Sequence, residues 1–555
     1  MYATLSDEAL ANLDEAAIEA FITPQEREAL ATKHWYFDVD VPVVVSLLRE
    51  KGQAVVPFWL EESGFVKTEL EVINSEGWRY EVWQKSFDAG RVELGINGFD
   101  KHRPHYLLSV GPQKEGTKVN ITGLHPSKFS MEVTQAGSMC YHDWSDIVLK
   151  DVPPSLQGQV LLTTIRGRAR AAHLIGAFRR TDYPSSTTPD QVMLTWSEDP
   201  KTTQSIQWRT HTDVPDGVVR WRERDASVSG TVSASVTRIQ DRMLVNDRYV
   251  HRYTAVLRGL KPDTAYVYSV GSPSATTWSE EAEFKTAPAG KGPLTFFVTG
   301  DTHNKEVWGD MMTAALARHP EAAFYVIAGD MVGTGQYRND WDTFFHHPRQ
   351  VINRIPLMPS LGNHDSIDGL GPGVFLSLFA LPEDGPESLE PERAYAFEYG
   401  NVLMINLDCT ARIAPQDAWL EEVLKNSKAT WKFASYHFPN YDPHYKDEYQ
   451  SITDHWSALF DKYHVDMVFQ GHVHRYMRTA PIKDGKIMDS PADGTIYLVS
   501  IALPDQNGHM PKADYIEKAI TGVGLYQTIQ IDGDRMVLEA RDATGKIHDA
   551  ITILK

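Results

Sequence analysis

The chain has 555 residues, 42% hydrophobic and 23% charged, which is enough to bury several cores and lacks the bias of a disordered or fibrous chain. With 54 basic against 74 acidic residues the formal charge is -20, which argues against general binding to nucleic acid or to anionic membranes. No apolar run approaches a membrane span, and the two cysteines, Cys140 and Cys409, lie far apart, so isolated thiols are expected rather than a disulfide framework.

The first residues lack a basic n-region and a long apolar stretch, so the sequence as given reads as cytoplasmic, or as periplasmic or secreted if it is a processed form. Residues 1–35 are expected to form two helices. Leu10, Leu13, Ala17, Ile18 and Phe21 make a helical stripe, and Thr23-Pro24-Gln25-Glu26 is a capping box with Pro at the first helical position. Residues 36–180 alternate short β-rich runs with turns, among them Val41–Leu48, Ala54–Leu60, Phe65–Ile73, Tyr80–Lys85 and Tyr106–Val110. A sandwich or small barrel is expected there, with Trp59, Trp78 and Trp83 in its core or on a binding surface. Its role is not legible.

Thr181–Pro189 reads as a polar linker. Beyond it Val192–Trp196, Ser205–Thr210, Val218–Arg222, Tyr249–Leu257, Ala265–Val270 and Glu281–Lys285 predict a second all-β domain over 189–288. From 292 to 555 strands alternate with helices, expected at Val307–Arg318, Trp341–Arg354, Pro415–Asn426 and Thr453–Tyr463, with Ser451 and Asp454 as a cap for the last. The alternation predicts a largely parallel, helix-covered sheet. The tail strands Leu525–Ile531, Arg535–Arg541 and Ile551–Leu554 are expected to pair as hairpins in a second sheet. Trp308 and Trp341 are expected in the core.

Within this last region lie Gly300-Asp301-Thr302-His303, Gly329-Asp330, Gly362-Asn363-His364-Asp365, Tyr436-His437-Phe438-Pro439 and Gly471-His472-Val473-His474. Most follow an apolar run that reads as a buried strand, and the carboxyl ends of such strands are where an open α/β sheet places its site. Asp301 and His303 are expected to alternate on an extended segment and point to one side. Asp330 can bridge two cations, Asn363 offers a carbonyl oxygen, and His437, His472 and His474 offer imidazoles. Seven N/O ligands without a thiolate suit two divalent transition ions, Mn, Fe or Zn foremost, about 3.5–4 Å apart. Such a pair leaves a positive centre in an acidic protein, which favours a small-molecule phosphate ester. A hydroxide bridging the metals could attack phosphorus in line. His364 is then the natural group to protonate the leaving oxygen or stabilise the transition state, and Asp365 either orients it or is a loop carboxylate. Arg475 and Arg478 could grip phosphate or pair with carboxylates, and His509 could sit on a loop near the site. The remaining histidines are expected to be structural or exposed.

These motifs in this order resemble the calcineurin-like metallophosphoesterase superfamily. The form Gly471-His472-Val473-His474-Arg475-Tyr476-Met477-Arg478-Thr479 is similar to its purple acid phosphatase branch. The turn Gly259-Leu260-Lys261-Pro262-Asp263-Thr264 before Tyr266 and Tyr268 is similar to the fibronectin type III-like domain that precedes the catalytic domain there. The resemblance implies a catalytic α/β sandwich of two sheets flanked by helices, in a multidomain α/β and all-β chain. It implies that Asp301, His303, Asp330 and His474 hold one metal, that Asp330, Asn363, His437 and His472 hold the other, and that His364 is the catalytic histidine. Two positions depart from that branch. His303 stands where a Gly is usual, and Gly333 stands where a metal-binding Tyr gives those enzymes their colour; Tyr337 lies too far along to substitute. The expected protein is therefore a dinuclear phosphomonoesterase or phosphodiesterase, colourless, with a neutral-to-alkaline optimum. The alternative is a catalytically weak scaffold that binds through its N-terminal β-domain.

Overall fold

A computed structural model describes residues 5–99, 105–127, 130–142, 146–164, 174–366, 371–445, 449–503 and 510–555. The chain divides into two compact units, one built mainly from residues up to 179 and the other from 180 onward. Among the described residues no helix is long and apolar enough to cross a membrane. His509 lies outside the described residues.

The N-terminal unit opens with three helices rather than two, Asp7–Ala11, Glu15–Phe21 and Pro24–Thr32. The stripe expected on one helix is cut at Asp14, whose carboxylate accepts from Ala17 N–H at 2.7 Å and starts a new helix. Leu10, Leu13 and Ile18 are buried all the same. The capping box forms as expected: Glu26 N–H donates to Thr23 Oγ1 at 3.2 Å, and Thr23 N–H donates to Glu26 Oε2 at 2.9 Å. Ala54–Leu60, expected as a strand, instead leads into a one-turn helix, Phe58–Glu62. A short apolar run has no period to separate strand from helix, and Pro57, which cannot donate to a ladder, stands just before the first helical position.

Behind the helices a three-stranded sheet, ordered Gly90–Leu94, Trp35–Val39, Ile121–His125, faces an eight-stranded sheet whose centre is Leu107–Pro112, Val43–Glu50, Arg79–Phe87 and Val66–Asn74. Trp35, Phe37, Val45, Leu47, Leu108 and Val110 share the core between them, which makes the unit a sandwich. Trp59 and Trp83 are buried and Trp78 is half-buried. Leu48, Val72, Tyr80 and Leu149 form a second core on the other face of the larger sheet.

This unit carries a built-in sensitivity to acid. His105 Nδ1–H donates to Tyr106 O at 2.9 Å, so its Nε2 accepts from His34 Nε2–H, also at 2.9 Å. Burial, then the charges of His105 and His125, push His34 down to about 3, and burial pushes His105 down to about 4. Both rings stay neutral in the fold but take up protons in the unfolded chain below about pH 6.5. Because the unfolded state then binds more protons, stability falls as pH drops from about 6.5 towards the folded values, by about 2 kcal/mol per histidine at pH 5. Amide exchange protection of the Trp35–Val39 and Leu107–Pro112 strands in the full chain is therefore expected to drop between pH 7 and pH 5. Unchanged protection would mean that the pair takes up protons in the fold as readily as in the unfolded chain.

The second unit begins with a β-sandwich. One sheet runs Asp190–Thr195, Thr203–His211, Tyr249–Arg258, Ser235–Gln240. The other runs Ser229–Ser233, Val218–Glu223, Ala265–Ser272, Thr277–Trp278, with Ala282–Lys285 also paired to Ala265–Ser272. Leu194, Ile206, Trp208, Tyr253, Tyr266 and Phe284 fill the space between them. The sandwich is tied to the rest of the unit by buried charges. Arg209 Nη1 lies 2.7 Å from Asp342 Oδ1, Arg338 lies 3.2 Å from Asp342 and 3.0 Å from Asp247, and Gln191 Nε2–H donates to Asp342 at 3.0 Å. Each buried ion thus has a partner of opposite sign, the condition under which such burial is tolerated.

Among the described residues the remainder forms two large sheets and a two-stranded ribbon, Ile482–Lys483 with Lys486–Ile487. In the first, Leu357–Ser360, Tyr325–Ala328 and Leu294–Thr299 run parallel and are extended by the antiparallel tail strands Tyr526–Asp532, Arg535–Arg541 and Ile547–Leu554. The tail therefore joins the sheet that carries the first ligands, not a second one. Leu525 and Ile529 of the tail segment pack in the same core as Phe296 and Val298, which draws the hairpins to that edge. The second sheet has the parallel strands Val402–Asn406, Trp431–Ser435, Met467–Gln470 and Ile496–Val499 at its heart. Phe296, Val326, Phe433, Phe469 and Leu498 share the core between the sheets, and Trp308 and Trp341 are buried on the helices, Trp308 against Tyr325 and Phe344 and Trp341 against Phe375 and Phe379. Helices Glu306–Arg318, Arg338–His346, Asp417–Asn426 and Ala458–Tyr463 complete the fold. The helix expected over Trp341–Arg354 breaks at Pro348 into Arg338–His346 and Arg349–Ile352. The one expected over Thr453–Tyr463 starts earlier, with Ser451 inside a Gln450–Ile452 turn and without a side-chain cap, and continues through a π-turn at Thr453–Ser457.

Candidate metal centre

Leu294–Thr299, Tyr325–Ala328, Leu357–Ser360, Trp431–Ser435 and Met467–Gln470 end beside one another, and the loop after each delivers its polar residues to one place. The glycine before a ligand is needed where loops touch. A Cβ on Gly362 would run into the backbone N and Oδ1 of Asp330, and one on Gly471 into Asp301 Oδ2. Asp301 (φ 50°), His303 (φ 43°), Asp330 (φ 54°) and His472 (φ 72°) all have left-handed backbone. The segment at Asp301 and His303 is therefore not extended, as alternation had suggested; it is a tight turn. Asp301 N–H donates to Gly329 O at 3.0 Å and His303 N–H to Asp330 O at 3.0 Å, and this lacing to the neighbouring loop holds the turn. Strained backbone of this kind gathers at functional sites.

Two groups of side chains, and a third that overlaps both, meet around Asp330. Asp301, His303 and His474 have ligand atoms within 4.8 Å of one another, as do Asp330, His437 and His472, and also His303, Asp330 and His364. In the first, His474 Nε2 lies 3.3 Å from Asp301 Oδ1 and 3.2 Å from His303 Nε2. In the second, His437 Nε2 is 3.1 Å from both Asp330 Oδ2 and Asn363 Oδ1, and His472 Nδ1 is 3.0 Å from Asn363 Oδ1. His303 Nε2 reaches within 3.8 Å of Asp330 Oδ2, so that carboxylate stands between the groups. All seven expected ligands are thus brought together. The His474 side chain is 37% exposed while Asp301 and His437 are fully buried, so the centre opens on the His474 side.

The surroundings fix these groups. His437 Nδ1–H donates to Ala328 O at 2.8 Å, which aims its Nε2 at the centre. His472 N–H donates to both oxygens of Asp301, at 3.0 and 2.9 Å, and the rings of Phe438 and Tyr449 meet the His472 ring edge to face. Burial opposes ionisation of Asp330, but His437, His364 and His303 more than offset it, and its pKa lies below the usual carboxylate range. Burial, then the charge of His437, pushes His472 down to about 4, and burial likewise lowers His303. The hydrogen bond to Asp301 raises His474. Carboxylate, amide and imidazole donors converging without thiolate suit divalent transition ions, and each cluster is small enough to surround one.

His364 follows Asn363 in a short helical turn. Its backbone N–H donates to Asp330 Oδ1 at 2.9 Å, and its ring Nδ1–H donates to Gly333 O at 2.7 Å. Of the two roles open to Asp365, orienting His364 or serving as a loop carboxylate, its hydrogen bonds fit the second. Its buried Oδ1 accepts from the N–H groups of Met331 and Val332 at 2.9 and 3.2 Å, and Oδ2 accepts from Gly362 N–H at 2.9 Å. It is a clamp on the loops carrying Asp330 and Asn363, and burial followed by the charge of Asp330 raises its pKa. Nothing in sequence signals the carbonyls of Ala328 and Gly333, since any residue supplies one. Arg475 pairs with Asp442, and Arg478 with Glu517 and, at 2.7 Å, with Asp549, so both are taken up by carboxylates. Cys140 and Cys409 are free buried thiols.

Paired sheets with ligand-bearing loops at one end define a metallophosphoesterase. Residues 189–286 match the purple acid phosphatase N-terminal domain and residues 294–476 the calcineurin-like phosphoesterase domain. Probable purple acid phosphatase 20 of Arabidopsis thaliana is 30% identical over 325 residues, 55% of this chain and 72% of its own length. Fe(3+)-Zn(2+) purple acid phosphatase 12 of the same plant is 24% identical over 54% of this chain and 67% of its own. The chain spans about half the length of several other curated relatives. Purple acid phosphatase PPD1 from yellow lupin (Lupinus luteus) seeds has a solved structure that matches with a TM-score of 0.59 at 14% identity, covering 95% of this chain and 91% of that one. That is a likeness of fold, and it reaches into the N-terminal unit. The chain belongs to the purple acid phosphatase family of the calcineurin-like metallophosphoesterases. It is a metal-dependent phosphoric ester hydrolase.

Proposed function

We propose that the chain hydrolyses phosphoric esters of small molecules at a dinuclear centre. Asp301, His303, Asp330 and His474 hold one ion; Asp330, Asn363, His437 and His472 hold the other. The observation that carries this reading is the convergence of both clusters on Asp330. When bound, the two ions activate a water and neutralise phosphoryl charge. His303 and His474 flank the open side, where the ester enters. His364 donates its Nδ1 proton to Gly333 O, so it acts at the leaving oxygen as the imidazolium: Nε2–H gives or shares its proton there and leaves the ring neutral with Nδ1–H in place. Phe438 and Tyr449 shield the His472 side from water. The reading is tested with stripped protein, Mn, Zn or Fe added back, and aryl phosphate mono-, di- and triesters. Metal-dependent turnover supports it, and the ester preferred separates phosphomonoesterase from phosphodiesterase. No turnover of any ester would leave the scaffold reading.

The metal pair is of a non-purple kind. Gly333 has no phenolate to give a ferric ion, and Tyr337 stands at the start of the Arg338–His346 helix, its N–H donating to Thr334 O at 2.9 Å. His303 adds a neutral imidazole, which suits a divalent ion. The purified protein is expected to be colourless and to gain activity from added divalent metal. A visible absorption band from the protein as isolated would show that a tyrosine does reach the metal.

A further inference from the structure

We propose that Asp340, assisted by Asn304, is a positioning residue for His364, acting through a peptide group. The inference deepens the hydrolase reading and rests on it. The carbonyl that takes the Nδ1 proton of His364 belongs to the peptide between Gly333 and Thr334. The N–H of that same peptide donates to Asp340 Oδ2 at 2.9 Å. Because the peptide is planar and conjugated, a carboxylate on its N–H side increases the electron density on its oxygen. Asp340, the peptide and His364 therefore form one chain: carboxylate, amide, imidazole. It does for this histidine what a carboxylate in direct contact does elsewhere, fixing the tautomer and the ring plane.

The preceding peptide is held as well. Gly333 N–H donates to Asn304 Oδ1 at 3.0 Å, so the loop is tied on one side to the turn carrying His303 and on the other to the helix carrying Asp340. Gly335 N–H donates to His364 O at 2.7 Å, and Trp341 Nε1–H donates to Gly335 O at 2.8 Å, closing the loop onto the same helix. Asp340 sits seven residues beyond Gly333, and its carboxylate takes the Thr334 N–H on one oxygen and the Asn339 Nδ2–H on the other, which couples it to this loop.

The test is a double-mutant cycle on the full chain with metal restored. Asp340→Ala is expected to lower kcat about 10–100-fold, the usual cost of losing an outer partner of a catalytic group. Two metals per chain are retained and KM changes little. Asp340→Asn, which keeps an accepting oxygen and the shape of the side chain, recovers part of the loss. Asn304→Ala behaves as Asp340→Ala, more weakly. In a His364→Ala background Asp340→Ala costs nothing further, because the group it positions is gone. Equal losses with and without His364 would overturn the proposal, as would unchanged kcat in both Asp340 variants. Should Asp340→Ala fail to fold, Asp340→Asn carries the same cycle. Wild-type protein that turns over no ester would instead sink the hydrolase reading, and the positioning role with it.

Discussion

Asp330→Asn is expected to leave a folded protein that no longer loads its metals. Asparagine matches aspartate in shape and tolerates the left-handed backbone required at this position. What it removes is the single charge that both clusters share, from a carboxylate 3.1 Å from His437 Nε2 and 3.8 Å from His303 Nε2. Loss of an outer partner already lowers metal affinity or activity about 10–100-fold, and a shared inner ligand must cost more than that at each of two sites. Turnover is expected to vanish, and metal analysis after gel filtration should find fewer than two ions per chain. Two ions retained at wild-type affinity would remove Asp330 from the bridge.

His364→Ala is expected to behave in the opposite way: metal content nearly unchanged, turnover lowered by about 10²–10⁴-fold, the weight of a general acid. The structure sharpens this test, because a His364 ring nitrogen lies within 4.8 Å of His303 and Asp330 and could itself reach a metal. Metal content therefore decides between ligand and acid. The loss is expected to be smaller for a nitrophenyl ester, whose leaving group hardly needs a proton, than for an alkyl ester. Equal losses for the two would make His364 an electrostatic stabiliser alone.

The candidate ligands stood out in the sequence because four of the five segments that carry them open with a glycine at the end of an apolar run, a local pattern with a local cause. The fold of each layer was legible for the same reason: Leu294–Thr299 and Met467–Gln470 are wholly buried and have no polar face to confuse the period. What escaped was set by contacts distant in sequence. Asp365 looks like a partner for its neighbour His364, yet one of its oxygens is filled by amides more than thirty residues earlier and the other by Gly362 N–H. Arg475 and Arg478 look available for phosphate until Asp442 and Asp549 arrive from elsewhere in the chain. The tail hairpins were recognised, but which sheet they join depends on where Leu525 and Ile529 find a core, and no window of sequence contains that choice. The helix break at Pro348 has a local cause, since proline cannot continue the helix before it.

The buried charges that join the sandwich to the helix Arg338–His346 bear on how such a chain can be assembled by recombination. Asp342 is 1% exposed and satisfied by Arg209 and Gln191 from the sandwich as well as by Arg338 from its own helix. A catalytic region severed from the sandwich would carry that aspartate short of partners, and breaking a buried pair costs about 3–5 kcal/mol. That is comparable to the whole margin of stability of a small domain. The two parts are therefore not interchangeable cassettes. A transplanted sandwich would have to bring an arginine to the place of Arg209, and a lineage that lost the sandwich would have had to neutralise Asp342 first. Because that helix also carries Asp340, the join between the two parts lies a few residues from the chemistry, and its inheritance is bound to that of the centre.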